Sequence, residues 1–276
     1  MDRVESYEQC VDMIKKFKRN CEKTVTNFFF LPNELKEIID HGIVYFQISE
    51  KALIFFMDEK EYLCMYYFLE EGIGSVITSA GKPLLLDFVA RENGYEKAEE
   101  REKERWRSSG FEFYKGYVRM QCDLSVHESS TWGDVIQCAG CELFCAGFED
   151  AEEIAGLWQG SLDHFSVPIP NAEEVCQMIR SQHVYCLKKA GEIVGAVYMD
   201  VTADRCVLKH LAVKSVFRGH GLGMVIMGYA LRNMSEENVN SCCLWVATDN
   251  TAAYKSYKKY GFQEEGLKSG RLICRS

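Results

Sequence analysis

The stretch Arg218-Gly219-His220-Gly221-Leu222-Gly223 follows the apolar run 207–213 and comes just before a helix-patterned segment, 224–233. Strand, glycine loop and helix N-terminus in that order constrain the fold more than anything else in the chain. Glycines let the backbone turn tightly and bring several N–H groups close to an anion, and the helix dipole adds partial positive charge at the same point. The ligand that suits this arrangement carries a phosphate or pyrophosphate. Spacing excludes two common phosphate loops. A dinucleotide-binding G-x-G-x-x-G read from Gly219 would put its third glycine at Met224, and only about fifty residues follow, too few for the rest of that fold. A nucleotide-hydrolase loop ends in Gly-Lys-Ser/Thr, whereas this one ends Gly-Leu-Gly.

Periodicity divides the 276 residues into two halves of domain size. In the first, Tyr7, Val11, Ile14 and Phe17 fall on one helical face. A short helix near 33–40 follows, then strand-like runs at 43–48, 52–57, 62–69 and 84–90, a charged helix at 94–107 and a hairpin-like segment at 114–122. In the second half a strand at 143–146 leads to helices at 150–161 and 171–180, the latter with Asn171 as cap and Glu174 at the capping-box position. Strands at 184–189, 193–200 and 207–213 precede the glycine loop and its helix. A strand at 242–247, a helix, Gly261-Phe262 and a final strand complete the chain.

The glycine loop with the run Leu211-Ala212-Val213 ahead of it resembles the acetyl-CoA loop of the GCN5-related N-acetyltransferase (GNAT) family, R/Q-x-x-G-x-G/A, here Arg218, Gly221 and Gly223. The family's second signature, Asn-x-x-Ala-x-x-x-Tyr-x-x-x-Gly-Phe, stands here as Asn250, Ala253, Tyr257, Gly261 and Phe262. Ser215 departs from the proline that many members carry. A helix ending in Gly-Phe and followed by a strand occurs at Gly110-Phe111 and again at Gly261-Phe262, 151 residues apart. The resemblance with this repeat implies a mixed α/β fold of two GNAT-like domains, each a central, mostly antiparallel sheet flanked by helices. Residues 1–137 would form a degenerate copy and 138–276 the acetyl-CoA-binding catalytic domain, because 70–83 is too short for both a phosphate loop and a three-turn helix. The first copy is expected to pack against the second and help wall the acceptor site; the alternative is an unrelated α+β domain.

The resemblance implies transfer of an acetyl group from acetyl-CoA to a primary amine of a small molecule or peptide, by direct attack. Such transfer needs a neutral amine, a stabilised oxyanion and a protonated leaving thiolate. By position, Tyr257 is the expected general acid and the Val213 N–H the oxyanion donor. His210 is a candidate base acting through water, since an imidazole titrates near the required range. Strand alternation would put His210 and Ala212 on one face and Leu211 and Val213 on the other. Expected coenzyme contacts are the backbone amides of Leu211, Ala212 and Val213, those from Arg218 through Gly219, His220, Gly221, Leu222 and Gly223 to Met224, and Asn250, Ala253 and Tyr257. The Arg218 guanidinium is a further phosphate candidate, and His220 is expected to face solvent. The acceptor pocket is expected from 160–170, where Asp163 is either an amine anchor or an ordinary loop aspartate. A competing reading is a non-catalytic acyl-CoA-binding regulatory module.

A net charge of −9 argues against nucleic acid and anionic membranes as partners and mildly favours a cationic acceptor. The charged first twenty residues and the lack of any run of about eighteen apolar residues lead to the expectation of a cytoplasmic protein, monomeric or homodimeric. Thirteen cysteines without paired spacing fit a reducing compartment. The cluster Cys138, Cys141 and Cys145 lacks a fourth ligand pair, and no metal is expected.

Overall fold

A computed structural model describes residues 1–72, 81–125 and 140–275. The chain divides into two compact units, Met1–Tyr117 with Gly266–Ser276, and Val118–Glu265. Cys138 and the expected boundary at 137/138 lie outside the described residues.

In the first unit, helix α1 (Tyr7–Asn20) starts at Ser6, whose hydroxyl accepts from the Gln9 N–H, and buries Cys10 and Phe17. Strands β3 (Val44–Ile48), β4 (Ala52–Asp58) and β5 (Leu63–Glu70) form an antiparallel meander. Strand β6 (Leu84–Arg91) pairs with β5 in parallel, and β1 (Asp2–Arg3) edges β3. The meander is apolar on both faces, and both are covered. Ile54, Phe56 and Met65 pack with Trp106 of α3 (Tyr95–Arg107), whereas Leu53, Phe55 and Phe68 pack with Phe17 of α1 and Leu35 of α2 (Pro32–His41).

The parallel ladder of β5 and β6 holds for only two residue pairs, Leu63–Leu84 and Cys64–Leu85. Beyond it the edge of β5 is taken by the short strand β2 (Thr24–Thr26), with Val25 opposite Leu69 and Thr26 opposite Phe68. Asn27 follows, and its side chain spans the divergence. Its amide donates to Met65 O (3.1 Å) and Asp87 O (3.0 Å), and its carbonyl accepts from the Tyr67 N–H (2.8 Å). The gap between β5 and β6 is therefore filled by the chain itself.

The hairpin-like reading of 114–122 is corrected. The segment is one strand, β7 (Glu112–Asp123), in which Gly116, Val118, Met120 and Cys122 are buried alternately. Gly116 has no positive φ and continues the extended backbone. Part of β7 belongs to the second unit, while β13 (Gln263–Cys274) runs from the second unit into the first and pairs with β6 from Leu267 to Cys274. The strand after each Gly-Phe thus ends in the other unit.

The second unit orders its strands β7, β12 (Ser241–Ala247), β11 (Arg205–Val213), β10 (Glu192–Thr202), β9 (Val184–Lys189) and β8 (Cys141–Cys145). One face packs on α6 (Leu222–Glu236) and α7 (Thr251–Lys259), through Val197, Met199, Cys206, Leu208, Ile226 and Phe262. The other packs on α4 (Ala151–Ser161) and α5 (Ala172–Ile179), through Ala196, Ile193, Trp158 and Val175. The expected capping box at Asn171 and Glu174 is formed. Among the described residues, no helix is long and apolar enough to cross a membrane.

Candidate functional site

Strands β11 and β12 are parallel neighbours for three residues only, Arg205 to Val207 against Ser241 to Cys243, although both continue well beyond. A bulge lies on the diverging part. Ala196 faces Ala212 and Tyr198 faces Lys209, so Val197 is opposed by both His210 and Leu211. His210 takes up the extra residue with φ at 54°, a left-handed conformation uncommon outside glycine.

The bulge resets which way the strand faces. Cys206 and Leu208 join the core beneath α6; without the insertion His210 and Ala212 would follow them. Instead Leu211 and Val213 pack on that side, while Ala212 and the ring of His210 lie on the α4 side. Lys214 N–H donates to Val194 O of β10 at 2.9 Å. Alternation then turns the Val213 N–H to the other edge, toward the opening left by β12, and the Ala212 N–H back toward β10.

The glycine loop follows at once. After a tight turn at Ser215–Phe217, Gly219 and Gly221 adopt φ of 82° and 76°, and Gly221 caps α6. No hydrogen-bond partner for the N–H groups of Gly219, His220, Gly221, Leu222 or Gly223 is found among the described residues. The first turn of α6 carries no acidic side chain, so the positive end of its dipole is uncompensated from within the helix. The ends of the expected cradle are different: Arg218 N–H donates to Ser215 O and Met224 N–H to Gly221 O. The guanidinium of Arg218 is turned to the protein, donating from Nε to Val213 O (3.0 Å) and from Nη2 to Ser161 O (3.4 Å). His220 is exposed, with Nδ1 2.9 Å from Arg218 O.

The two tyrosines of α7 and the one that caps its C-terminus differ in what their hydroxyls do. Tyr260 donates to Met224 O at 2.7 Å, and Tyr254 bonds the Glu264 carboxylate. Tyr257 is 8% exposed, packs against Phe262, and has no hydroxyl partner among the described residues. Burial, reinforced by the nearby Cys242 thiol, raises its pKa well above the ordinary phenol value, so the proton stays on oxygen. Asn250 caps α7, its side chain accepting from the Ala253 N–H at 3.1 Å, and Ala253 packs against the core. That bond uses the Asn250 side-chain oxygen.

On the α4 side, His210 packs against Trp158 in a tilted arrangement with ring centroids 5.1 Å apart. Burial, with Lys209 adding to it and Asp200 opposing, lowers its pKa from 6.5 to about 4. The imidazole is therefore neutral at physiological pH. Trp158 is a residue the sequence reading passed over, because an aromatic on an apolar helix face reads as core. Asp163 closes its own loop, accepting from Phe165 N–H and the Ser166 hydroxyl, which favours the loop-aspartate reading over an amine anchor. An open depression is lined by Glu153, Gly156, Gly160 and Ser161 of α4 and by Lys214 and Val216.

Residues 149–270 match the family described as acetyltransferase (GNAT) domain. A Bacillus subtilis (strain 168) protein provisionally named as ribosomal protein bS18-alanine N-acetyltransferase is 27% identical over 86 residues, 31% of this chain and 57% of that protein. The chain thus spans little more than half the length of that relative. Among solved structures, a GCN5-related N-acetyltransferase from Sphaerobacter thermophilus aligns with a TM-score of 0.60 at 12% identity, covering 88% of this chain and 86% of that one. A tandem GNAT protein from the clavulanic acid biosynthesis pathway aligns at 0.59 and 12% identity, covering 99% and 97%. At such identities the likeness concerns the fold. The segment 149–270 belongs to the GNAT acetyltransferase family, and the whole chain has a fold similar to that of a tandem GNAT protein.

Proposed function

We propose that this protein is an N-acetyltransferase that moves an acetyl group from acetyl-CoA to a primary amine of a small molecule or peptide, with 138–276 as catalytic domain and 1–137 as degenerate copy. The observation that carries the reading is the continuity of two features: β11 parts from β12, and at the end of the parted strand five successive N–H groups stand ready for an anion. The N–H groups of residues 219–223 and the α6 dipole would hold the pyrophosphate of the coenzyme. The opening beside Val213 would take its pantetheine arm, with Leu211 and Asn250 alongside. Bound there, acetyl-CoA supplies an activated acyl group as a thioester.

The chain's residues do the rest. The Val213 N–H, fixed by the β10 ladder and by Arg218 on its carbonyl, donates to the acyl oxygen as negative charge develops; one such preorganised donor is worth about 3 kcal/mol. Tyr257 holds its proton and has no hydroxyl partner among the described residues, which suits a donor to the leaving thiolate. The net charge of −9 favours a cationic amine.

Calorimetry with acetyl-CoA, beside a thiol-release assay over amines, amino acids and alanine-terminated peptides, tests the reading. The relative named for an alanine amine is the reason for including the last. Binding with release that collapses in Tyr257→Phe supports it. Absence of binding refutes it, and binding without release with any acceptor points to the regulatory acyl-CoA module.

A further inference from the structure

Two neighbouring rings inside the second unit, Trp158 and His210, each carry a buried nitrogen for which the described residues provide no hydrogen-bond partner. Trp158 Nε1 and His210 Nδ1 are both sealed from solvent, and neither is hydrogen-bonded among the described residues. Trp158 is 0% exposed, and the two rings stand 5.1 Å apart at 44°. Buried polar groups are almost always satisfied by protein or by ordered water, so an adjacent orphaned pair calls for an explanation. The pair also coincides with backbone strain. His210 holds its left-handed φ at the bulge three residues before Val213, on the strand that borders the proposed acyl site. Strain of this kind persists where the surroundings impose it, commonly at functional sites.

The donor inventory narrows what answers the two atoms. An indole N–H only donates, and an imidazole nitrogen either donates or accepts according to tautomer. Direct donation from Trp158 to an unprotonated Nδ1 is not made. One oxygen with two lone pairs can accept from both donors, and the two rings are direct neighbours, with centroids 5.1 Å apart. Internal water does this routinely, with about three hydrogen bonds per molecule.

We propose that an internal water accepts from Trp158 Nε1–H and His210 Nδ1–H together, and so holds His210 in the tautomer whose Nε2 takes the proton of the acyl acceptor's ammonium. The water plays the part that a carboxylate plays in other His-based sites, fixing the tautomer by the bond made at the far nitrogen. The charged groups acting on the ring are Lys209, next in the chain, and Asp200 on β10, which bond each other at 2.6 Å and pull in opposite directions. The step balances. An ammonium N–H bond breaks, its proton moves to Nε2, and the electron pair stays on nitrogen. That nitrogen bonds the acyl carbon as the C–S bond breaks. Sulfur takes the Tyr257 proton, Tyr257 regains the second proton of the nitrogen, and His210 releases its own to solvent. This inference rests on the acyl-transfer reading for its substrate.

The test starts with wild-type protein, nitrogen-labelled at tryptophan and histidine, studied by NMR. The expected result is direct magnetisation transfer from water to the Trp158 indole N–H, and a His210 ring in the Nδ1–H form. A Trp158 N–H without water contact, or an Nε2–H ring, overturns the proposal whatever the activity. Trp158→Phe keeps an aromatic side chain at the position and removes one of the two donors. It is expected to shift the tautomer ratio toward Nε2–H and to lower kcat about tenfold, as loss of an orienting partner does, with the Kd for acetyl-CoA within about twofold. His210→Gln should abolish the acid limb of the kcat/KM profile, and a limb that survives sinks the base role. Failure to bind acetyl-CoA would refute the acyl-transfer reading instead, and the NMR result on the water and tautomer would stand apart from it.

Discussion

The hydroxyl of Tyr260, the C-cap residue of α7, donates to the carbonyl of Met224 in the first turn of α6 at 2.7 Å. The ring reaches it by passing over Gly228, where a Cβ would stand 2.6 Å from the Tyr260 hydroxyl oxygen. The helix that begins at the anion loop is thereby tied to the helix that carries Tyr257. Tyr260→Phe should cost about 1 kcal/mol, the usual net value of a hydrogen bond. Gly228→Ala should cost more, about 1–3 kcal/mol, because it displaces ring and bond together. Denaturant unfolding of the two variants checks the order, and an Ala variant as stable as wild type would refute the close approach.

Gly221 offers a test of the cradle that steric arguments do not confuse. A Cβ there meets nothing within 4 Å, yet φ is 76°. Gly221→Ala therefore adds strain of about 1–2 kcal/mol without a clash. If the strain is relieved by moving the loop, acetyl-CoA binding should weaken about tenfold, since 1.4 kcal/mol is a factor of ten. Gly223→Ala, whose Cβ would lie 3.7 Å from Val213 Cγ2, should fold with little loss of stability. Calorimetry on the pair measures the affinity, and unchanged affinity in Gly221→Ala would tell against the loop as the anion site.

Because the Tyr257 hydroxyl has no partner among the described residues, its loss should cost activity and not stability. Tyr257→Phe is expected to lower kcat by about 100-fold, the low end for a general acid, with Tm unchanged. Tyr260→Phe reverses the pattern. Melting curves and thiol-release rates of the two variants, side by side, separate a catalytic tyrosine from a packing one; equal losses of Tm in both would place Tyr257 among the packing residues.

These distinctions were only partly legible in the sequence. The glycine loop, the α7 signature and the Asn171 capping box rest on local chemistry, and each is found within a residue or two of its expected place. Two features are not local. Gly110-Phe111 and Gly261-Phe262 mark where a closing strand begins, but nothing near them shows that β7 and β13 each end in the other unit. The bulge at His210 is set by pairing to β10, so strict alternation along β11 does not reveal it. Strand β2 is three residues long, too short for periodicity to register. Arg218 carries a phosphate-binding side chain by type, and its hydrogen bonds to Val213 O and Ser161 O depend on a contact with α4, distant in sequence.

The pKa of His210 links stability to pH. Burial lowers it from 6.5 to about 4 in the folded protein. Between those values the unfolded chain binds the proton and the folded one does not, so the contribution is complete above about pH 6.5 and is lost as pH falls toward 4. Wild type should therefore lose Tm over that window more steeply than His210→Gln, which lacks the titrating group. Lys209→Met removes a cation that lowers the folded pKa, so the loss should begin at the same pH but end at a higher one and be smaller in total. Parallel Tm profiles for wild type and His210→Gln would show that the residue does not titrate in the folded protein as its burial requires.

Asn27 is 8% exposed and satisfies three backbone groups at once, Met65 O, Asp87 O and Tyr67 N–H, where β5 and β6 diverge. In the second unit the corresponding divergence of β11 and β12 borders the anion loop; in the first, β2 and this side chain fill it. Asn27→Ala would leave three interior polar groups unanswered, at about 1–3 kcal/mol each. A loss of at least about 3 kcal/mol is expected, the largest of the changes considered. Coenzyme stoichiometry should be one per chain, because the chain occupies the first opening and, among the described residues, a glycine cradle lies beside the second. Calorimetry giving two sites per wild-type chain would mean that the segment 24–27 yields its place to a ligand, and that the first unit is a second acyl-CoA site.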